Sequence, residues 1–280
     1  MRKTEAPDYR YLAELAREAR RHVLKMIHAA GSGHPGGSLS SLDVLVTLYF
    51  HEMRHDPKNP DDPDRDRFIL SKGHGVPALY TVMAMSGYFD VSLLQTLRKL
   101  DSPLQGHPDK RKLPALEAST GSLGQGLSIG IGMALALKLD GRDARVYVML
   151  GDGECDEGQV WEAAMFAGNR GAQLNNLCAI VDANGAQLDG YTKDIMPLEP
   201  FADKWRAFNW NVLEIDGHSY PEIVEAFQKA RACKTAPTVI IARTVKGKGV
   251  SFMEAAGAKY HGVAPTDEEL ERALAELEAE

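Results

Sequence analysis

Apolar residues recur along the chain at two different spacings, and each spacing predicts one kind of element. Between residues 8 and 30 they lie three and four positions apart, which is the spacing of an amphipathic helix. From residue 145 onward, short apolar runs alternate with helical segments, an order typical of a parallel sheet with right-handed crossovers. The predicted strands cover residues 67–71, 145–150, 177–182, 211–215 and 238–243. We therefore expect an α/β fold with a doubly wound parallel sheet flanked by helices.

Helical patterns fill most of the chain between these strands. They cover residues 8–30, 41–50, 76–86, 91–99, 159–169, 203–208 and 220–233, a glycine-rich turn running into a helix at 119–139, and the C-terminal tail from Thr266. The stretch GSGHPGG is expected to end the first helix, and Thr266 is expected to cap the last. The small and apolar residues after the glycine-rich turn predict a mostly buried helix. No repeat or linker divides the sequence, so we expect residues 1–280 to form a single domain.

Composition and charge narrow the class of partner. The net charge of −7 comes without a basic block, which argues against nucleic acid or an anionic membrane as the main partner. No apolar run approaches the length of a membrane span, and the N-terminus has no apolar signal core. Cys155, Cys178 and Cys233 lack a metal-binding spacing and suit a reducing compartment. We therefore expect a cytoplasmic protein that acts on small molecules.

Polar turns follow two consecutive predicted strands, GDG at 151–153 and DANG at 182–185. Because ligands of open α/β sheets collect beyond the carboxyl ends of the strands, we expect these turns to face one another. Asp152 offers a carboxylate and Asn184 an amide oxygen, while the glycines let the backbone approach a ligand closely. One carboxylate with neutral oxygens is what Mg²⁺ takes when phosphate oxygens complete its octahedron. A lone GDG is usually a structural turn, but its pairing with Asn184 indicates a metal and phosphate site.

GDG followed by a downstream Asn resembles the signature of thiamine diphosphate enzymes. Further motifs are similar to the transketolase branch of these enzymes, and in chain order they are GSGHPGGSLSSLDVL, SKGHG, GHP, TGSLGQG and YHG. They spread over residues 31–262, so the resemblance covers essentially the whole chain. It implies the thiamine diphosphate-binding fold, thiamine diphosphate and Mg²⁺ as cofactors, and transfer of a two-carbon ketol unit from a ketose to an aldose, with the cofactor as the electron sink.

The resemblance also implies roles for individual residues. Asp152 and Asn184 would bind Mg²⁺ with the backbone oxygen of Ala186 as a third ligand, and Gly153 would lie beside the diphosphate. The TGSLGQG turn would bring backbone and one apolar side chain against the cofactor through Gly121, Ser122, Leu123 and Gly124. Four histidines would surround the thiazolium, diphosphate and sugar, and they are His34, His74, His107 and His261.

Among these histidines, we expect His34 and His261 to face the transferred group and His74 and His107 to lie nearer the cofactor. Imidazoles suit both tasks because they donate hydrogen bonds to diphosphate and sugar oxygens and exchange protons near neutral pH. The remaining histidines are expected to be capping or surface residues, and they are His22, His28, His51, His55 and His218.

Three further charged side chains leave two interpretations open. Glu157 resembles the family's acid that is buried near the subunit interface and linked to a carboxylate on the other half of the catalytic site, but a solvated acid in the first turn of a helix fits its sequence context equally well. Lys246 and Lys248 follow a strand end and either counter the charge of the diphosphate or lie in a surface hairpin. We assign no chemistry to Cys155.

The sequence departs from the transketolase pattern in length. A full transketolase continues into a pyrimidine-binding domain, which carries the glutamate that activates the aminopyrimidine, and then into a third domain. This sequence stops at Glu280. The resemblance therefore implies the N-terminal subunit of a two-chain transketolase for sugar or sugar-phosphate substrates. It would be active only with a C-terminal subunit that carries the pyrimidine-binding domain, in an α₂β₂ heterotetramer.

Other functions remain as alternatives. The chain could be related to deoxyxylulose-phosphate synthase or to the α subunit of a 2-oxoacid dehydrogenase, although SGHPGG and GDGECDEG fit transketolase better than either. It could also be a noncatalytic binding protein that kept the fold. The presence of Asp152, Asn184 and the four site histidines counts against that last alternative.

Overall fold

The sheet has five parallel strands. In the computed structural model, residues 6–279 are described, and the strands are β1 (Arg67–Leu70), β2 (Val146–Gly151), β3 (Leu177–Ala183), β4 (Asn211–Asp216) and β5 (Thr238–Arg243). They lie in the order β1-β2-β3-β5-β4, and every neighbouring pair is parallel. The predicted strands are therefore confirmed, each to within one or two residues.

Among the described residues, ten α-helices connect and cover the strands. They are α1 (Tyr9–Ala30), α2 (Pro35–Thr47), α3 (Val76–Ser86), α4 (Gln125–Leu139), α5 (Gly158–Ala167), α6 (Thr192–Ile195), α7 (Phe201–Ala207), α8 (Tyr220–Ala232), α9 (Ser251–Ala256) and α10 (Asp267–Ala279). Short 3₁₀ or π turns extend several of them. The sequence did not predict α6 or α9, which are only four and six residues long.

Side chains of the central strands alternate between two apolar layers. Along β2, Tyr147 and Met149 pack with α1, α2, α3 and α8, whereas Val148 and Leu150 pack with α4, α5 and α7. A parallel sheet needs such cover because successive side chains point to opposite faces and both faces of the central strands are apolar. The doubly wound α/β fold is confirmed.

The helix that follows the GSGHPGG stretch begins earlier than the sequence predicted. α2 starts at Pro35 rather than Ser41, because proline at the first helical position has a suitable φ and needs no amide hydrogen-bond partner. The second helical position is glycine because a Cβ there would stand 2.9 Å from the carbonyl oxygen of Tyr260. This early start places His34 at the N-cap of α2.

Two other helix predictions need correction. The predicted helix at 91–99 is a 3₁₀ helix from Val91 to Thr96, capped by the Asp90 side chain. The predicted mostly buried helix, α4, buries only the face that packs on the sheet, where Gly130 approaches Val148 closely. Its small residues therefore serve close packing on one side only.

The tail helix α10 has the expected cap. The Thr266 hydroxyl accepts a hydrogen bond from the Glu269 amide at 3.2 Å, and the Glu269 carboxylate accepts one from the Thr266 amide at 3.0 Å. This reciprocal pair is a capping box and confirms the prediction. Within residues 6–279, no helix combines the length and the apolar character needed to cross a membrane.

Candidate active site

The carboxyl ends of β2, β3 and β5 bring the predicted polar turns together. Gly151 is paired with Asp182 across β2 and β3, so the residues that follow each strand face one another. The Gly185 amide donates a hydrogen bond to Asp152 Oδ2 at 2.6 Å, which joins the GDG and DANG turns as predicted. Beside them lies a cavity of about 310 Å³. Its lining includes Lys72, His74, Leu123, Asp152, Glu154, Glu157, Asn184, Ala186, Lys246 and His261.

The three predicted metal ligands lie at this edge, and their oxygens suit Mg²⁺. Asp152 accepts hydrogen bonds from two backbone amides, and Asn184 Nδ2 donates to Asp182 Oδ2 at 3.0 Å. This donation fixes the amide so that Oδ1 points away from Asp182. Burial and the nearby Asp182 charge raise the pKa of Asp152 to about 6. One carboxylate with two neutral oxygens therefore fits a magnesium site.

Lys246 lies inside the cavity and not in a surface hairpin. Its side chain is buried, its Nζ donates to the Ala186 carbonyl oxygen at 2.8 Å, and it lies 2.9 Å from His261 Nδ1. Burial lowers the pKa of Lys246 to about 8. Lys248, by contrast, lies 3.6 Å from the Glu254 carboxylate and does not line the cavity. Of these two lysines, Lys246 alone is placed to counter the charge of a diphosphate.

The four site histidines form one cluster. The ring centroid of His34 lies 5.3 Å from that of His74, 5.9 Å from that of His107 and 5.5 Å from that of His261. His74 and His261 are 5.0 Å apart and line the cavity, whereas His107 is exposed. The cavity is thus lined by one histidine from each expected pair. The division into a cofactor pair and a sugar pair stays a prediction.

Burial keeps these imidazoles neutral near physiological pH. It lowers the pKa of His74 to about 2, with Lys72 as the next cause, and that of His261 to about 3, with Lys246 as the next cause. Burial followed by the Arg98 charge lowers the pKa of His34 to about 4. Partial desolvation and then the same Arg98 charge lower the pKa of His107, although its side chain reaches solvent. A neutral imidazole donates one hydrogen bond and accepts another, which suits recognition of hydroxyl and phosphate oxygens.

The glycine-rich turn before α4 lies against the histidine cluster. A Cβ on Gly121 would stand 3.3 Å from the His107 ring, and the Gly121 backbone conformation is one that favours glycine, with φ of +150°. Leu123 lines the cavity, while Ser122 is exposed. Gly153, which also lines the cavity, packs closely against Gln187. Of the turn's four predicted residues, Leu123 lines the cavity, and the contact of the others with a cofactor stays a prediction.

The acids of the GDGECDEG turn have different environments. Glu157 is exposed at the N-cap of α5, on the cavity wall, so residues 6–279 do not bury it. Glu154 is buried and accepts hydrogen bonds from Ser71 Oγ at 2.5 Å and from the amides of Gly124 and Gly151 at 2.8 and 3.0 Å. Glu154 thus joins the turns after β1 and β2 to the start of α4. No local pattern signals this role, since Ser71 and Gly124 are distant from Glu154 along the chain.

The sequence also did not predict a buried ion pair that lies beneath the cavity. Lys72 Nζ donates to Asp182 Oδ2 at 2.5 Å, to the Gly37 carbonyl oxygen at 2.7 Å and to Ser41 Oγ at 2.8 Å. Burial opposes the negative charge of Asp182, but Lys72 holds the pKa of that carboxyl below its usual range. A lysine beside the Gly-His of SKGHG and an aspartate at the end of β3 were the available signals.

One histidine that the sequence assigned to a capping or surface role is a buried structural residue. The His218 side chain is largely buried, lies 2.7 Å from Asp43 Oδ2, and accepts a hydrogen bond from the Val245 amide. It therefore links the segment before α8 to α2 and to the turn after β5.

We expect His74 to make the protein less stable in mild acid. Its pKa of about 2 in the folded state lies below the value of about 6.5 for an unfolded chain. Above pH 6.5 the group is neutral in both states and has no effect. Below pH 6.5 only the unfolded chain binds the proton, so the free energy of unfolding falls by up to about 1.4 kcal/mol per pH unit.

Urea unfolding between pH 6.5 and 4.5 measures this effect. The variant His74→Gln should lose stability less steeply than the original protein as pH falls. His22→Gln, on α1 outside the cavity, is the control and should keep the original slope. An equal slope in His74→Gln and the original protein would contradict the prediction.

Comparisons with known proteins identify the family of this chain. Residues 13–279 match the family described as transketolase, thiamine diphosphate binding domain. The chain is 49% identical to the 6-deoxy-6-sulfo-D-fructose transketolase subunit SqwG of Clostridium sp., covering 96% of this chain and 97% of that protein. It is 44% identical to an apulose-4-phosphate transketolase subunit of Phocaeicola vulgatus, covering 92% and 90%.

Solved structures give the same family. Transketolase from Campylobacter jejuni superposes with a TM-score of 0.90 at 34% identity, over 97% of this chain and 43% of that one. Transketolase from Leishmania mexicana superposes with a TM-score of 0.89 at 30% identity, over 95% and 41%. This chain therefore spans less than half the length of these transketolases, whereas it matches the two subunits along nearly their whole length. It belongs to the transketolase family, and residues 13–279 match that family's thiamine diphosphate-binding domain.

Proposed function

We propose that this chain is the diphosphate-binding, N-terminal subunit of a two-chain transketolase that uses thiamine diphosphate and Mg²⁺. The enzyme transfers a two-carbon ketol unit from a ketose or its phosphate to an aldose or its phosphate. The observation that carries the proposal is the cavity at the carboxyl ends of the strands, where oxygen ligands, Lys246 and two neutral histidines meet. The transketolase subunits with nearly the same length as this chain support it.

The residues of the cavity divide into two groups around the cofactor. Asp152, Asn184 and the Ala186 carbonyl would hold Mg²⁺, and the metal and Lys246 would together hold the diphosphate. When bound, the cofactor supplies the electron sink that a break between two sugar carbons requires. The backbone of Gly121 and the Leu123 side chain would support the cofactor from the opposite side.

His261 has a defined proton position. Its Nδ1 lies 2.9 Å from Lys246 Nζ, and a lysine ammonium can only donate, so Nδ1 accepts. The single proton of the neutral ring is then on Nε2, where it can be donated to an oxygen of the sugar or the cofactor. Lys246 thus selects the donor atom of His261 while it also engages the Ala186 carbonyl.

We also propose a partner subunit with a pyrimidine-binding domain. The relatives that match this chain over nearly their full length are called subunits. Rat transketolase is 42% identical to this chain, but the match covers only 41% of the rat protein's length. Glu157, exposed on the cavity wall, is proposed to be covered by that partner. We expect two copies of each subunit in the assembly and a cytoplasmic location. The three free cysteines support a reducing compartment.

The donor substrate is proposed to be a ketose with an anionic end. Relatives are named for 6-deoxy-6-sulfo-D-fructose and apulose 4-phosphate, both of which carry an anionic group. At the outer side of the histidine cluster, an Arg98 guanidinium nitrogen lies 3.5 Å from His34 Nδ1, so the cluster is flanked by a cation. This placement favours substrates that end in phosphate or sulfonate.

A transfer assay tests the proposed function. The chain, in complex with its partner, is supplied with thiamine diphosphate, Mg²⁺ and an aldose acceptor. Product sugars are measured for 6-deoxy-6-sulfo-D-fructose, apulose 4-phosphate and unmodified fructose as donors. Transfer from at least one anionic ketose, at a higher kcat/KM than from fructose, is expected. Tight cofactor binding without transfer from any donor would instead identify a noncatalytic homologue.

The histidines give a second prediction for this activity. His34→Ala and His261→Ala should each lower kcat by about 10²–10⁴, because a group that donates or accepts a proton in the transition state contributes that much. Cofactor affinity, measured by calorimetry, should change much less. His22→Ala is the control and should retain both. A loss of cofactor affinity as large as the loss of kcat would contradict the assignment to the transferred group.

A further inference from the structure

Asp43, on α2, is the centre of a buried polar network outside the cavity. Its side chain is only 3% exposed, and its Oδ2 accepts a hydrogen bond from Arg20 Nη2 at 2.7 Å and lies 2.7 Å from His218 Nδ1. Its Oδ1 accepts from the Tyr220 hydroxyl at 2.6 Å. We call these four residues the Asp43 hub. The hub joins α1 and α2 to α8 and the segment that precedes it.

The carboxylate of the hub is permanently charged. Burial opposes the charge, but the Arg20 guanidinium and the hydrogen bonds from His218, Arg20 and Tyr220 hold the pKa of Asp43 well below its usual range. A buried charge of this kind is tolerated only when its partners satisfy it, so the hub keeps one arrangement. The Asp43 carboxylate therefore stays charged near physiological pH.

The outer atoms of the hub hold the turn that carries Lys246. His218 Nε2 accepts a hydrogen bond from the Val245 amide at 2.8 Å, so the proton of the neutral ring is on Nδ1, facing Asp43. Arg20 Nε donates to the Lys248 carbonyl oxygen at 3.0 Å. The hub therefore binds the backbone one residue before Lys246 and two residues after it.

The conformation of this turn depends on contacts with other parts of the chain. Gly247 and Gly249 have φ of +81° and +89°, and glycine adopts many conformations at little cost, so the local sequence does not fix the direction of Lys246. Gly249 lies so close to Arg20 that a Cβ would stand 2.7 Å from Arg20 Cδ. The Gly247 amide also donates to the Gly36 carbonyl oxygen at 3.1 Å. Tertiary contacts thus determine where Lys246 points.

We propose that the Asp43 hub is a remote positioning device that holds Lys246 in the cavity. No hub residue lines the cavity. If the chain has the proposed function, the hub therefore strengthens binding of the diphosphate group from a distance. Asp43→Asn removes the charge that orients Arg20 and His218. The turn from Val245 to Gly249 then loses its fixed conformation, and Lys246 is no longer held against Ala186 and His261.

Two measurements test the hub. Amide hydrogen exchange of residues 244–249 in this chain should be faster in Asp43→Asn than in the original protein. It should also be faster in His218→Ala, which removes only the hydrogen bond to the Val245 amide. This second variant is measured in case Asp43→Asn folds poorly. Calorimetry on the complex with the partner subunit measures the affinity for thiamine diphosphate with Mg²⁺. This affinity should fall about tenfold, which is typical when a residue that supports a direct ligand is changed. Asp66→Asn is the matched control, because Asp66 is equally buried but accepts from the Arg54 and Arg145 amides at the other edge of the sheet.

A double variant tests whether the hub acts through Lys246. Lys246→Met alone should weaken cofactor binding, and adding Asp43→Asn to it should cost almost nothing more, since coupled residues are not additive. Three results would each overturn the proposal. The losses of cofactor affinity in Lys246→Met and Asp43→Asn could add fully, a folded hub variant could keep the original exchange rates and affinity, or Asp66→Asn could change them as much as Asp43→Asn does. If the original complex binds no thiamine diphosphate, the proposed function fails, and the exchange measurement still decides the role of the hub.

Discussion

The purified chain should show no measurable cleavage of a donor ketose, and it should gain this activity when a partner with a pyrimidine-binding domain is added. The family resemblance implies that activation of the aminopyrimidine requires a carboxylate from that domain. We do not expect the buried acids in and beneath the cavity to replace it, because groups of this chain hold each of them in place. Glu154 accepts from Ser71 and two amides, Asp182 is paired with Lys72, and Asp152 accepts from Gly153 and Gly185.

The measurement is a titration of the chain with its partner while donor cleavage is followed. Loss of a group that moves a proton lowers rates by about 10²–10⁴, so activity without the partner should be at least that far below activity with it. Affinity for the cofactor should also rise as the partner is added, since the partner is proposed to hold the pyrimidine end of the cofactor. Glu157→Gln is the informative control, because Glu157 is the exposed acid of the cavity wall. Full turnover by the chain alone, abolished by Glu157→Gln, would refute the two-chain proposal.

The second large effect should come from Asp152. Asp152→Ala removes the one carboxylate among the three proposed metal ligands, and the remaining amide and carbonyl oxygens are weak ligands for Mg²⁺. We expect a loss of Mg²⁺-dependent cofactor affinity of at least about 100-fold, since even residues outside the direct ligands contribute 10- to 100-fold. Asp152→Asn keeps the shape and an acceptor for the Gly185 amide, so it tests the charge itself.

Calorimetry with thiamine diphosphate, with and without Mg²⁺, measures this loss in the complex with the partner. Asp156→Ala is the matched control, because Asp156 lies in the same turn and lines the cavity but is not a proposed ligand. Unchanged Mg²⁺-dependent affinity in a correctly folded Asp152→Asn would remove Asp152 from the metal site. A loss of the same size in Asp156→Ala would mean that the charge of the whole turn matters more than one ligand.

The main elements and the site motifs follow from local features of the sequence. Strand and helix periodicity, together with a proline or glycine at an end, determines elements such as α1 and β2 from neighbouring residues alone. The edge of the sheet that carries the site follows as well, because parallel strands present their carboxyl ends together. For this reason the order of the strands and turns along the chain is enough to predict that Asp152 and Asn184 meet, and the GDG and DANG turns do meet.

Only the tertiary structure decided which polar groups support the site. The partners of Lys72, Glu154 and Asp43 lie on different elements, and His218 reaches both α2 and the turn after β5. The sequence left open whether Lys246 faces a diphosphate or lies in a surface hairpin. Its burial depends on the contacts that position a glycine-rich turn. Local pattern cannot specify such pairs, because a buried charge is stabilised by whichever groups the packed helices bring within hydrogen-bond distance, and that is a property of the assembled layers.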